Sequence, residues 1–487
     1  MKRIAYFYGI FLNLMGACFS LPLITALIYM ETSSIRAFSL VILFCLAAGS
    51  LLRRLCRSSI DSLRIKPRET YLLVATVWLI ASAIGALPYM LTGALPNFFD
   101  AFFETASSFT TTGATVIDGV EALPRAVLIW RSLSQWLGGM GIIVLFVAFL
   151  PSFGIKARNI AAAETPGPTV TKLSSTFTGT AQRLYIAYII LTAAMLLLLM
   201  AGNVSFYDSL NHSFTTMATG GFSTYSNSIA HFGSNYVTWV ITIFMFLAGT
   251  NFELFFVLFS GSIKKVMKNE EFRLYASIVF AATLLISISL MTQGGYTDAF
   301  QSLTDSAFQV MTILSTTGYA TVDFNLWPTL CLMLIVILMI IGGSSSSTAG
   351  GIKVIRLLVL SKLLRREVSL KLHERSVNDI RVNRHKLLPE TLSFIISFLT
   401  MYIFTILLGT LAVSIADPAG IITNFTAVLS CISNVGPGLD KVGPTCTFSF
   451  YSNFSKFILS FIMIAGRLEL STLFIIFTPY YWKPGRV

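Results

Sequence analysis

The sequence predicts an all-α polytopic membrane protein: two N-terminal helices, then four tandem units of outer helix, short half-helix, loop and inner helix. Three observations carry this reading. Ten apolar runs approach the length of a bilayer span. Four Gly-containing polar stretches recur between them in register. The basic residues collect in alternate connections.

Composition excludes the soluble classes first. Of 487 residues, 55% are hydrophobic and 11% charged, and mean hydropathy is +0.77. A soluble domain carries about 25% charged residues, so this chain lacks the polar surface that water requires. The net charge of +12 would suit a nucleic-acid binder, but its distribution follows membrane topology, and no nucleic-acid partner is expected. The six Cys, at 18, 45, 56, 331, 431 and 446, form no C-x-x-C and no Cys/His cluster, so neither a disulfide framework nor a zinc site is expected.

A helix needs about 20 apolar residues to cross the hydrocarbon core. The run 4–30 is too long for a signal-peptide core and reads as a retained span. It is followed by 37–52, 70–93, 128–150, 184–202, 237–261, 273–292, 328–350, 391–414 and 455–480. Four shorter, more polar stretches, 98–112, 206–219, 303–317 and 422–435, cannot cross and read as re-entrant half-helices. Boundaries fall at 1–68 for the N-terminal pair and 69–182, 183–272, 273–386 and 387–487 for the four repeats.

Ten crossings place both termini on one side. The six segments that should share that side hold 28 of the 34 Lys and Arg. By the positive-inside rule both termini are cytoplasmic. Half of the 22 acids fall on the opposite side, among them Asp118, Glu121, Asp323 and Asp440. They read as ordinary solvated loops or as an acidic rim that meets an incoming cation.

The repeat is visible residue by residue. The loops read Thr111-Thr112-Gly113, Ala218-Thr219-Gly220, Thr316-Thr317-Gly318 and Asn434-Val435-Gly436. Their glycines are spaced 107, 98 and 118 apart. Asp100, Asp208, Asp305 and Asn424 lie 12 or 13 residues upstream and are expected to cap the half-helices. Each second helix is interrupted by small residues: Gly138-Gly139, Ala248-Gly249, Gly342-Gly343 and Ala465-Gly466.

Glycine lets backbone turn with positive φ, so consecutive carbonyls can face one way. Four such loops around an axis form oxygen rings that replace the hydration shell of a monovalent cation. Half-helix C-termini add partial negative charge. The four units then surround one pseudo-fourfold pore, each a pore helix and filter loop between outer and inner helices.

At this point the chain resembles the Trk/Ktr/HKT superfamily of K⁺ transporters, and within it the TrkH-type membrane-subunit family of bacterial Trk systems. The resemblance covers nearly the whole chain. It rests on residues 110–115, 218–224, 315–321 and 433–438, on Gly342 to Lys353, and on Ala-Gly-Arg-Leu-Glu at 465–469. In the family a Gly in every repeat accompanies K⁺ permeation, and Ser in the first favours Na⁺. Gly113 therefore implies K⁺, with Rb⁺ and some Na⁺; a Na⁺ or mixed Na⁺/K⁺ transporter is the alternative. The resemblance implies K⁺ as the transported ion; its filter is the only metal site expected, and no cofactor is expected on the chain.

Two features below the filter read as a gate. The run Gly342, Gly343, Ser344, Ser345, Ser346, Ser347, Thr348, Ala349, Gly350 and Gly351 will not hold a regular lipid-facing helix. Resemblance implies an intramembrane gating loop; a small-residue helix-packing patch is the other reading. Arg467 is a charge inside an apolar span, costly and usually functional. Resemblance makes it the pore arginine; a structural ion pair with Glu469 or Glu253 is compatible, and pairing is the reading for both acids. Arg131 and Lys456 can snorkel to the outer interface and receive no role. His212 reads as a packed, hydrogen-bonded residue.

The segment 353–386 carries ten Lys and Arg. It reads as a topology signal drawn to anionic membrane lipid or as a docking face. Resemblance implies a cytosolic nucleotide-binding TrkA-type regulatory ring, a homodimer and residence in a bacterial inner membrane. The chain has no nucleotide-binding Gly-rich motif of its own. A polytopic enzyme would cluster catalytic groups at one face, whereas the four His, at 212, 231, 373 and 385, fall on different sides. An inverted-repeat transporter would need antiparallel halves, whereas these repeats run the same way.

Overall fold

The computed structural model describes residues 2–56, 67–141, 177–259, 261–373, 379–468 and 470–482. Among the described residues six helices are long and apolar enough to cross a membrane: Ile4–Ile28, Thr32–Cys56, Tyr71–Thr92, Ala181–Ala201, Glu270–Thr292 and Pro389–Ala416. They are the two N-terminal helices and the four outer helices. Their outward faces are apolar, as at Leu43, Leu197, Ile288 and Leu408, and such a surface needs lipid.

Within the described residues the other four expected spans are not single helices, and 142–150 of the first lie outside those residues. The inner helices are Arg125–Gly139, Asn235–Gly249, Thr329–Ile341 and Asn453–Arg467, each ending at its small-residue break. After Gly249 the chain bends by 103° into Glu253–Phe259. The break glycines do more than interrupt a helix. A Cβ on Gly138 would lie 1.8 Å from the Phe109 carbonyl oxygen, and one on Gly466 2.1 Å from that of Ile432. Glycine there lets an inner helix press on the end of a pore helix.

The pore helices are Phe98–Phe109, Phe206–Met217, Ala299–Leu314 and Ile421–Ser433. Their N-caps differ from the expected residues. Asn97, Ser205 and Asp298 accept the first free N–H groups, and Gly420 opens the fourth helix. Asp100 and Asp208 fall in the first turn, where a carboxylate still complements the helix dipole. Asp305 lies inside its helix, and Asn424 donates to the Asp417 carbonyl.

The N-terminal pair is bolted to the first repeat. The helix break at Phe19 buries that ring 4.3 Å from Trp130. Glu31 accepts from the N–H groups of Arg125 and Ala126, capping the first inner helix from outside the repeat.

Candidate ion-permeation site

All four pore helices end identically. Thr111, Thr219, Thr316 and Asn434 adopt left-handed backbone, with φ between 55° and 58°. The next N–H, of Thr112, Gly220, Thr317 and Val435, reaches back five residues to the carbonyls of Ser107, Thr215, Thr312 and Ser430 at 2.8 to 3.0 Å. This is the Schellman-type closure normally made by Gly or Asn. Three of the four residues here are β-branched Thr, for which positive φ is an outlier. Such strain persists only where the surroundings impose it, typically at functional sites.

The residue after each closure turns positive again: Gly113 at 82°, Gly221 at 74°, Gly318 at 84° and Gly436 at 102°. The second repeat therefore differs from the expected register by one residue. Gly221, not Gly220, is the equivalent of the other three glycines. Two adjacent glycines made the sequence alignment ambiguous; the backbone turn resolves it. Gly220 takes the place of Thr112, Thr317 and Val435.

These residues form a closed cycle. A Cβ on Gly113 would lie 2.3 Å from the Gly220 carbonyl oxygen, and one on Gly221 1.9 Å from that of Thr317. On Gly318 it would lie 2.2 Å from the oxygen of Val435, and on Gly436 2.7 Å from that of Thr112. Each loop thus packs its glycine on the preceding-position carbonyl of the next. Gly113, Gly221, Gly318 and Gly436 together line one cavity of about 240 Å³ that opens outward past Asp118.

Arg131 is not at an interface. It is buried and ion-paired with buried Glu104 at 2.8 Å. Its guanidinium also donates to the Ser223 carbonyl and Thr115 Oγ1, and lies 3.9 Å over the Phe222 ring. Glu104 accepts from the N–H of Val116. The sequence signal was available: Glu104 is an acid inside a re-entrant half-helix, which demands a cation. Lys456 likewise pairs with Asp100 at 2.7 Å, joining the fourth inner helix to the first pore helix. His212 is buried between the Asp208 carbonyl and Ser223 Oγ.

The rim acids staple neighbouring loops. Glu121 accepts from the Ser226 N–H and hydroxyl, and Asp118 from Thr447. Burial works against the Glu121 carboxylate, but the Ser226 donors hold it below the usual range.

Beneath the loops, residues 342–353 form an irregular hairpin, so the helix-packing reading, which requires a helix, does not apply. Gly342 turns at φ 74°, and the N–H of Lys353 returns to the Ile341 carbonyl. Gly350 N–H donates to Thr316 Oγ1 at 2.7 Å, joining the hairpin to the third loop. Ser344 N–H donates to the Gly249 carbonyl. Glu271 accepts from both the N–H and the hydroxyl of Ser345. Arg467 donates to the carbonyls of Thr348, Gly138 and Gly139, spanning from the hairpin to the end of the first inner helix. Glu253 opens its short helix, with its N–H on Asn251 Oδ1. Glu469 lies outside the described residues.

Broken inner helices, converging half-helices and a cycle of backbone loops inside an apolar helical shell define a multi-pass membrane transport protein, not an enzyme. Comparison with known proteins identifies the family. The TrkH family model, described as a cation transport protein, matches residues 34–483. The chain is 35% identical over 486 residues to the Trk system potassium uptake protein TrkH of Escherichia coli K12, covering 99% of each. It is 31% identical over 469 residues to TrkG of the same organism, covering 95% of this chain and 94% of the relative. The crystal structure of the potassium transporter TrkH from Vibrio parahaemolyticus superposes with a TM-score of 0.88, at 31% identity and 99% coverage of each chain. The chain belongs to the TrkH family of cation transport proteins.

Proposed function

We propose that this protein takes up K⁺ across a bacterial cytoplasmic membrane, both termini inside, through a filter built from Thr111, Thr112 and Gly113; Ala218, Thr219, Gly220 and Gly221; Thr316, Thr317 and Gly318; and Asn434, Val435 and Gly436. The carrying observation is the cycle of four positive-φ glycines, each on a carbonyl of the next loop and all facing one outward cavity. Backbone oxygens so arranged exchange for the hydration shell of a monovalent cation. The naming of its relatives as potassium uptake proteins supports K⁺ as the ion. An inside-negative potential contributes about 2.3 kcal/mol per charge per 100 mV, enough to drive K⁺ inward against a modest gradient.

The hairpin from Gly342 to Gly351 and Arg467 form the gate beneath this filter. Arg467 places a cation on the path, where it repels K⁺. Glu271 latches the hairpin through Ser345. Its neighbour Glu270 pairs with Lys362 and accepts from the Asn383 N–H, so adjacent residues connect the hairpin to the basic surface that includes Arg365, Arg366 and Arg381. That surface docks a cytosolic TrkA-type nucleotide-binding ring, and the chain functions as a homodimer.

The test is ⁸⁶Rb⁺ uptake into proteoliposomes with K⁺ and Na⁺ competition, for the wild type and Gly113→Ser. Block by K⁺ but weakly by Na⁺, with preference relaxed in the variant, is expected. An unchanged preference in Gly113→Ser would remove the filter assignment. Equal block of the wild type by Na⁺ would favour the mixed-cation reading.

A further inference from the structure

We infer that Gln135 is a specificity-determining positioning residue, which sets the place of one carbonyl in the ion ring. The inference rests on the filter reading above and goes beyond it.

The residue before the glycine is not held the same way in every loop. Thr112 Oγ1 pairs with Thr110 Oγ1 at 2.7 Å, and Thr317 Oγ1 with Ser315 Oγ at 2.7 Å. Each hydroxyl thereby ties its loop to its own pore-helix end. Gly220 has no side chain to do this. Gln135, from the inner helix of the preceding repeat, fills the vacancy. Its Nε2 donates to the Gly220 carbonyl oxygen at 2.6 Å, and its Oε1 accepts from the Phe222 N–H at 3.2 Å. One amide thus spans the second loop.

The fit is mutual. A Cβ on Gly220 would lie 2.4 to 2.8 Å from the carbon, oxygen and nitrogen of the Gln135 amide. Gly220 is therefore glycine because the amide occupies its side-chain space, not because its backbone turns. Gln135 is fully buried and lies one helical turn from Arg131, which holds Ser223 and Phe222 of the same loop. At the equivalent helix position the other inner helices carry Met245, Met339 and Met463, none of which can make this pair of bonds.

The consequence is chemical. The Gly220 oxygen shares its lone pairs between an amide donor and the permeating ion, unlike a carbonyl held only through its own backbone. Losing the donor frees and loosens one quarter of the ring, and a looser ring contracts more readily around Na⁺.

The experiment measures ion binding without requiring the gate to open: melting of the purified full-length protein in detergent, titrated with KCl or NaCl, because a bound ion stabilises by mass action. In Gln135→Met the ratio of apparent Na⁺ to K⁺ dissociation constants should fall about tenfold, the scale of one lost hydrogen bond. Gln135→Glu keeps the size and the acceptor for Phe222 but keeps the donor only while its carboxyl is protonated. Burial raises the pKa of that carboxyl, so the ratio should stay near wild type while the proton is held and fall toward that of Gln135→Met as rising pH removes it. A ratio within about twofold of wild type in folded Gln135→Met, or a Gln135→Glu ratio that does not fall with rising pH, would overturn the inference. Gly113→Ser, run alongside, separates the two levels. If it lowers the ratio while the Gln135 variants do not, only the role of Gln135 fails. If it too leaves the ratio unchanged, the filter reading fails with it.

Discussion

The first and second filter loops share a backbone and differ in what holds it. In the first, a Thr hydroxyl pair ties the loop to its own pore helix, and Glu104 accepts from Val116 N–H just beyond it. In the second, the corresponding side chain is missing, and Arg131 and Gln135 reach across from the first repeat. The fourth loop is a third solution: Asn434 donates to Thr112 Oγ1 and to the Met463 carbonyl. In the proposed filter the ion meets carbonyls, so the ring needs a common backbone path. It does not need common side chains, because any donor that fixes the path will serve.

The sharpest way to break this comparison is to set the two adjacent glycines against each other. Gly221→Ala drives a Cβ to 1.9 Å from a backbone oxygen at a positive φ, with nothing free to move. It should abolish K⁺-preferring ⁸⁶Rb⁺ uptake. Gly220→Ala meets only the movable Gln135 side chain, so uptake should survive with weakened preference. Equal loss in both would return the register to Gly220.

Next in size is the cross-repeat ion pair. Removing one member of a buried pair costs about 3–5 kcal/mol. Arg131→Met should therefore lower the melting temperature far more than the double variant Arg131→Met/Glu104→Gln. Thermal melts in detergent would show whether the second loop depends on its neighbour as argued.

A moderate effect is expected at the hairpin latch. A hydrogen bond to a charged group contributes about 1.5–3 kcal/mol, and Glu271→Gln discharges the acceptor of two. Basal ⁸⁶Rb⁺ flux should rise severalfold, with K⁺ preference unchanged. A fall in preference instead would place Glu271 with the filter.

Smaller still is Thr317→Val, which removes one neutral hydroxyl pair worth about 1 kcal/mol. It should lower the melting temperature slightly while K⁺ remains preferred. The weakest term is the Glu121 staple, which is largely exposed. Its carboxyl sits lower in the folded state, so its stabilisation is present above the unfolded carboxylate range and is lost as pH falls through the folded value. Glu121→Gln should leave the neutral-pH melt almost unmoved and flatten its decline in acid.

Much of this molecule is legible in the sequence. The apolar runs had to become lipid-facing helices, because backbone in hydrocarbon must satisfy its own hydrogen bonds. The positions of Gly138, Gly249, Gly342 and Gly466 had to interrupt inner helices, because small residues recur there in register. Three of the loops were visible through Thr-Gly pairs at the ends of polar half-helices, and the fourth through Val435-Gly436 at the same place in the repeat.

Only the tertiary structure decided the rest, and each case turns on a partner distant in sequence. Asp100 became the mate of Lys456, 356 residues away, rather than a cap. Arg131 became a buried clamp because Glu104 and the second loop surround it. Gly221 displaced Gly220 because the second left-handed turn falls at 221, while Gly220 is glycine for the amide of Gln135, 85 residues earlier, that fills the space beside it. Local pattern specifies helices, breaks and turns, since these depend on neighbours in the chain. Which carbonyl faces which glycine, and which charge is neutralised, depends on packing the four repeats together.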